Sequence, residues 1–100
     1  MTITALSDSQ LLEQARQGDE AAFTELYVRH QPAALRLART YRRFGDPDDL
    51  VNSAFERVLG AIRRGAGPTD SFRAYLFVTL RRLATEGAAV AEEPVEDVPE

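Results

Sequence analysis

GDPDDLVNSAFERVLGAIRR, residues 45–64, decides the fold. Asp46 has a capping side chain, and Pro47 suits the first helical position, where an amide would be unpaired in any case. Asp48 and Asp49 then lie at the positive end of the helix dipole. Val51, Ala54, Phe55, Val58 and Ile62 follow at spacings of three and four, which makes one apolar stripe on a helix running to about Arg64. Gly45 ends whatever precedes this segment, and GAGPT, residues 65–69, has the composition of a loop.

The same period continues on both sides. Upstream, Phe23, Leu26, Tyr27, Ala34, Leu37, Ala38 and Tyr41 form a buried stripe on a helix from about Glu20 to Phe44, capped by Asp19. Pro32 lies within it, where the missing amide predicts a bend or an interruption. A shorter helix over 8–17 buries Leu11, Leu12 and Ala15, with Ser7 and Gln10 at capping-box spacing and Gly18 as its end. Downstream, Asp70 is the expected cap of a fourth helix that presents Phe72, Leu76, Leu80 and Leu83 and stops near Glu86 and Gly87. No strand-like alternation is present. The expected fold is all-α: a compact bundle of three main helices plus a short N-terminal one, over residues 1–87. Residues 88–100, proline-broken and acidic, are expected to be a disordered linker or tail.

Composition narrows the function. One hundred residues is a one-domain length. The net charge of −4 is unevenly distributed. Residues 1–86 hold eleven acids and twelve bases, while residues 87–100 hold five acids and no base. Every base is arginine. The segments Val28–Phe44 and Ser71–Thr85 contain arginines and no acid; the planar arginine fork suits phosphate, but a GC-rich genome is the weightier explanation for the exclusive use of arginine. There is no cysteine, so no disulfide framework or thiolate metal site can form. The N-terminus lacks the basic flank and apolar run of a signal peptide, and no stretch approaches a membrane span, so the chain is expected in the cytoplasm.

Catalysis finds few candidate residues. His30 is the one histidine, and beside Arg29 and Pro32 it is expected at the surface or a boundary. Adjacent Asp48 and Asp49 splay to different sides of a helix, which is a poor acid/base pair. Gly65-Ala66-Gly67-Pro68 lacks the lysine and the spacing of a phosphate-binding loop. A binding module remains, with no enzyme activity, no cofactor and no metal expected.

Three stretches resemble region two of the extracytoplasmic-function (ECF) sigma factors. They are QLLEQARQGDEAAFTELYVRHQPAALRLA (10–38), GDPDDLVNSAFERVLGAI (45–62) and SFRAYLFVTLRRLA (71–84). Their order and spacing carry the resemblance more than any one of them does. It implies a transcription initiation factor domain that binds core RNA polymerase and recognises and melts the promoter minus-ten element.

By that resemblance Asp48, Asp49, Asn52, Ser53 and Glu56 face the clamp helices of the polymerase β′ subunit. Asn52 and Ser53 stand where the family usually has glutamine and glutamate. Arg63, Arg64, Arg73, Tyr75, Arg81 and Arg82 are the implied contacts to single-stranded minus-ten DNA. Arg81-Arg82 stands where the family commonly has an arginine-asparagine pair, and the Leu83-Ala84-Thr85-Glu86-Gly87 that follows is no basic continuation, which favours phosphate contact over base readout. The connector from Arg63 to Asp70 is either a pocket for an unpaired base, as the resemblance implies, or a plain loop. An anti-sigma factor is a further partner implied by the family. The family's second, helix-turn-helix domain is not in these residues, so a fragment ending in the interdomain linker is expected. The alternative reading is a helical protein–protein interaction module, partner-binding or anti-sigma-like, without DNA binding.

Overall fold

Each helix begins at a side chain that accepts its first free amides. The computed structural model describes the backbone of residues 2–97 and the side chains of residues 2–86. Helix α1, Asp8–Arg16, starts with a full capping box: Gln10 N–H donates to Ser7 Oγ, and Ser7 N–H donates to the Gln10 side chain. Helix α2, Glu20–Arg39, starts at Asp19, whose carboxylate accepts from the amides of Ala21 and Ala22. Asp46 does the same for helix α3, Pro47–Arg63, with Pro47 in its first turn. All three starts agree with the sequence.

The fourth does not. Helix α4, Phe72–Asp97, is capped by Ser71, whose Oγ accepts from Ala74 N–H at 3.0 Å. Asp70, the expected cap, lies one residue too early to reach that amide. The far end differs as well. The helical backbone passes Gly87 and continues to Asp97. The Ala-rich run AAVAEE at 88–93 has high helix propensity, whereas one glycine costs only about 1 kcal/mol against alanine. The side chains on which the linker expectation for 88–100 depends lie outside the described residues.

Pro32 does not interrupt α2. It is exposed, and so is Val28, the residue whose carbonyl loses its helical donor; water can take that bond. The helix ends at Arg39, and a short 3-10 turn, Arg42–Phe44, replaces its expected last turn. Another 3-10 turn, Ile3–Ala5, precedes α1.

Helix α2 is central and packs on α1, α3 and α4, while α3 makes its most extensive contact with α4. Leu11, Leu26, Val51, Phe55, Val58, Phe72, Leu76 and Leu80 share one buried cluster, and Phe23 and Leu37 pack against it half-buried. Its aromatic centre joins three helices. The ring of Phe55 lies 6.4 Å from Phe23, 4.6 Å from Tyr27 and 6.3 Å from Phe72 between centroids. Among the described residues the chain is helical with no strand, as the periodicity predicts.

The α3–α4 connection is built, not loose. Gly65 takes φ +83, which lets Ala66 N–H bond the Ala61 carbonyl at 2.8 Å and Gly65 N–H bond that of Ile62 at 3.0 Å. These are the two bonds of a Schellman end, and they need a left-handed residue at this position. Gly67 has φ +93 and sits so close to Ile62 that an added Cβ would lie 3.0 Å from its side chain. Pro68 is fully buried beneath the loop.

Candidate binding surfaces

The apolar stripe of α3 points inward, and this aims its polar residues outward. With Val51, Ala54, Phe55 and Val58 buried, Asp48, Asp49, Asn52, Ser53 and Glu56 are all exposed along one side. Their spacing over two helical turns makes a single polar strip. The carboxylates of Asp48 and Asp49 accept no hydrogen bond among the described residues, because Asp46 alone serves the first amides. A groove of about 230 Å³ runs beside the strip, lined by Phe23, Tyr27, Asn52, Phe55, Glu56 and Leu59. The five residues implied for polymerase contact therefore lie together.

The six implied for DNA do not. Three of them, Arg64, Tyr75 and Arg82, line one groove between α3 and α4 together with Ala61, Val78 and Thr79. Tyr75 and Val78 are 36% and 40% exposed, so this groove offers an apolar floor between arginines. Arg57 and Glu86 also line it, joined by an ion pair at 3.3 Å that links the two helices. Thr79 is buried, and its hydroxyl is satisfied by the Tyr75 carbonyl at 2.9 Å.

Arg73 and Arg81 lie eight residues apart with Phe77 between them, which puts them on another face of α4. The Arg73 guanidinium is 5.9 Å from the centre of the Phe77 ring. Arg63 points the other way. It lines a cleft with Gly18, Asp19, Glu20, Phe23, Thr24 and Leu59 at the α1–α2 junction. The sequence spacing gives these helical phases, but which neighbour covers which face depends on packing.

The connector faces a further cavity of about 340 Å³, lined by Ser9, Leu12, Glu13, Arg16, Gly65, Ala66, Pro68, Thr69 and Asp70. Arg16 reaches across it and donates to the carbonyls of Ala66 and Pro68. That clamp was not anticipated from the sequence, since nothing local marks Arg16 as a partner of a loop so far along the chain.

His30 corrects an expectation. It is 5% exposed rather than at the surface. Its Nε2 lies 2.7 Å from Asp8 Oδ2, its Nδ1 accepts from Arg73 Nε at 3.1 Å, and its ring packs 5.2 Å from that of Phe72. Arg29 completes the cluster by bonding Glu25, Asp8 and the Thr4 carbonyl. The hydrogen bond to Glu25, above all, raises the Arg29 guanidinium above its ordinary pKa, with Asp8 adding to it against the effect of burial. Among the described residues no group of acids and histidine is arranged to hold a metal ion, and no helix is long and apolar enough to cross a membrane.

Comparison with known proteins adds to this geometry. The family model described as sigma-70 region 2 matches residues 26–89. The ECF RNA polymerase sigma-E factor of Escherichia coli (strain K12) is 34% identical over 85 residues, covering 83% of this chain and 41% of that protein. The protein of the same name from Salmonella typhimurium (strain LT2) is 33% identical over the same length and shares of the two chains. The chain thus spans about two fifths of the length of these curated relatives. No solved structure matches it significantly.

Proposed function

Because the chain belongs to the sigma-70 region 2 family and is similar to its ECF members, we propose that it is a transcription initiation domain that docks on core RNA polymerase and captures the opened minus-ten strand of a promoter. The observation that carries this reading is the presence of two surfaces of different chemistry, which adjoin where Ser53 and Glu56 share a groove with Arg57 and Arg64. An open acidic and polar strip on α3 suits a basic or amide-rich protein partner, and an arginine-and-tyrosine groove between α3 and α4 suits a nucleic-acid strand. A protein-interaction module without DNA binding has no use for the second.

In this reading Asp48, Asp49, Asn52, Ser53 and Glu56 meet the β′ clamp helices. Arg64 and Arg82 take backbone phosphates, whose contact is driven mainly by charge. Tyr75, between them, offers a face on which an unpaired base stacks, worth about 1–3 kcal/mol per base. Such a gain offsets the few kcal/mol needed to unstack a base from duplex DNA. The cavity between α1 and the Gly65–Asp70 connector is the second place for an extruded base. Its walls are held by the Arg16 bonds and the Schellman end, so a base entering it would meet a preformed site. The domain does no covalent chemistry, consistent with its family.

Tyr75 provides the test. Tyr75→Phe keeps the ring and should bind a single-stranded minus-ten oligonucleotide as wild type does, while Tyr75→Ala should weaken it about fivefold to a hundredfold, in line with a lost stack. Equal binding by Tyr75→Ala and wild type would remove the groove from the nucleic-acid path.

A further inference from the structure

His30 belongs to neither proposed surface, yet both of its ring nitrogens are engaged. A guanidinium Nε only donates, so the contact from Arg73 Nε requires His30 Nδ1 to be an unprotonated acceptor. The ring hydrogen then sits on Nε2 and is donated to Asp8 Oδ2 at 2.7 Å. Asp8 is held in turn by Arg29 Nη1 at 3.1 Å on its other oxygen, and Arg29 by Glu25 at 2.9 Å. A continuous chain of bonds therefore runs from α2 through α1 and the buried imidazole to Arg73 on α4.

The far end of that chain is open. Arg73 is exposed, and among the described residues its one hydrogen bond uses Nε. The two terminal amino groups, Nη1 and Nη2, make no hydrogen bond among the described residues, and the guanidinium is held through Nε. That paired edge matches two oxygens of a phosphate. An arginine already held in place loses less side-chain freedom when it binds.

We propose that His30 is a positioning residue for nucleic-acid binding: its Nδ1 holds Arg73 so that the free guanidinium edge meets a phosphate of the promoter strand beyond the Tyr75 groove, on the other face of α4, and Asp8 sets the tautomer that makes this possible. The proposal rests on the promoter-binding reading above.

Two substitutions separate the two nitrogens. In His30→Asn the amide oxygen takes the place of Nδ1 and can still accept from Arg73. In His30→Gln the amide nitrogen takes the place of Nε2, which keeps the bond to Asp8 and leaves Arg73 unheld. Both lose the ring beside Phe72, so melting temperatures should fall similarly. Binding of a single-stranded minus-ten oligonucleotide is then measured across salt concentrations with the full chain. Arg73→Gln should reduce the salt slope by about 1. His30→Gln should weaken binding about two- to tenfold, with His30→Asn within about twofold of wild type, the range of one hydrogen bond. Adding His30→Gln to Arg73→Gln should change nothing more.

Equal binding by the two histidine variants would reduce His30 to packing and overturn the proposal. Loss of binding in Arg82→Gln but not in Arg73→Gln would also overturn it while leaving the promoter-binding reading intact. If neither arginine matters, both fall.

Discussion

Arg16 Nη1 donates to the carbonyl of Ala66 at 2.8 Å, across 50 positions of chain. With the companion bond from Nη2 to Pro68, it ties α1 to the connector that precedes α4. Arg16→Met keeps much of the side-chain stem and removes both bonds. Stability should fall by about 1–3 kcal/mol, as for hydrogen bonds to a charged group. Affinity for a minus-ten oligonucleotide should fall with it, measured by fluorescence anisotropy at a temperature where the variant is folded, while polymerase affinity should hold. Unchanged oligonucleotide binding would make the connector a brace for α1 and nothing more.

The aromatic centre should dominate stability. Phe55 is 3% exposed and touches the rings of Phe23, Tyr27 and Phe72, which come from α2 and α4. Phe55→Ala should cost about 3–5 kcal/mol in denaturant unfolding, as buried aromatic truncations do. A cost below about 1 kcal/mol would mean that the three helices do not meet at this ring.

Helix α4 distinguishes two adjacent candidate caps. Ser71→Ala should lower stability by about 1 kcal/mol, whereas Asp70→Ala should be nearly neutral, because the Ala74 amide bonds Ser71 Oγ. The reverse order in thermal melts would restore Asp70 as the cap.

Much of this molecule was legible in its sequence, and what was not has definite causes. Ser7, Asp19 and Asp46 mark their helices because capping acts over two or three residues, well within the range of local pattern. Asp70 and Ser71 are both good caps, and choosing between them needs the backbone of a loop whose path is set by Gly65, Gly67 and Arg16. His30 looked like a surface residue because its partners, Asp8 and Arg73, lie 22 and 43 positions away. The α3 strip was readable as a unit because one helix carries all five of its residues. The arginines come from two helices, so their division among surfaces waited on how α1, α3 and α4 pack on α2.

That division predicts unequal roles among the arginines. Arg64→Gln and Arg82→Gln, which flank Tyr75 in one groove, should each lower the salt slope of oligonucleotide binding by about 1. Arg63→Gln, in the cleft at the α1–α2 junction beside Asp19 and Glu20, should lower it less. Equal slopes for all three would indicate a diffuse charge effect rather than a groove.

The central claim is that one small helical domain carries two independent binding surfaces, and the affinity of Asp49→Ala/Asn52→Ala for core RNA polymerase tests it most directly. Both side chains are exposed, so the double variant should melt close to wild type, allowing a few tenths of a kcal/mol for the lost acid at the α3 N-terminus. Titration against labelled core enzyme should show affinity reduced about tenfold or more, as expected when central contacts of an interface are truncated. The same protein should bind a minus-ten oligonucleotide unchanged. Wild-type affinity for polymerase in a folded double variant would contradict the account.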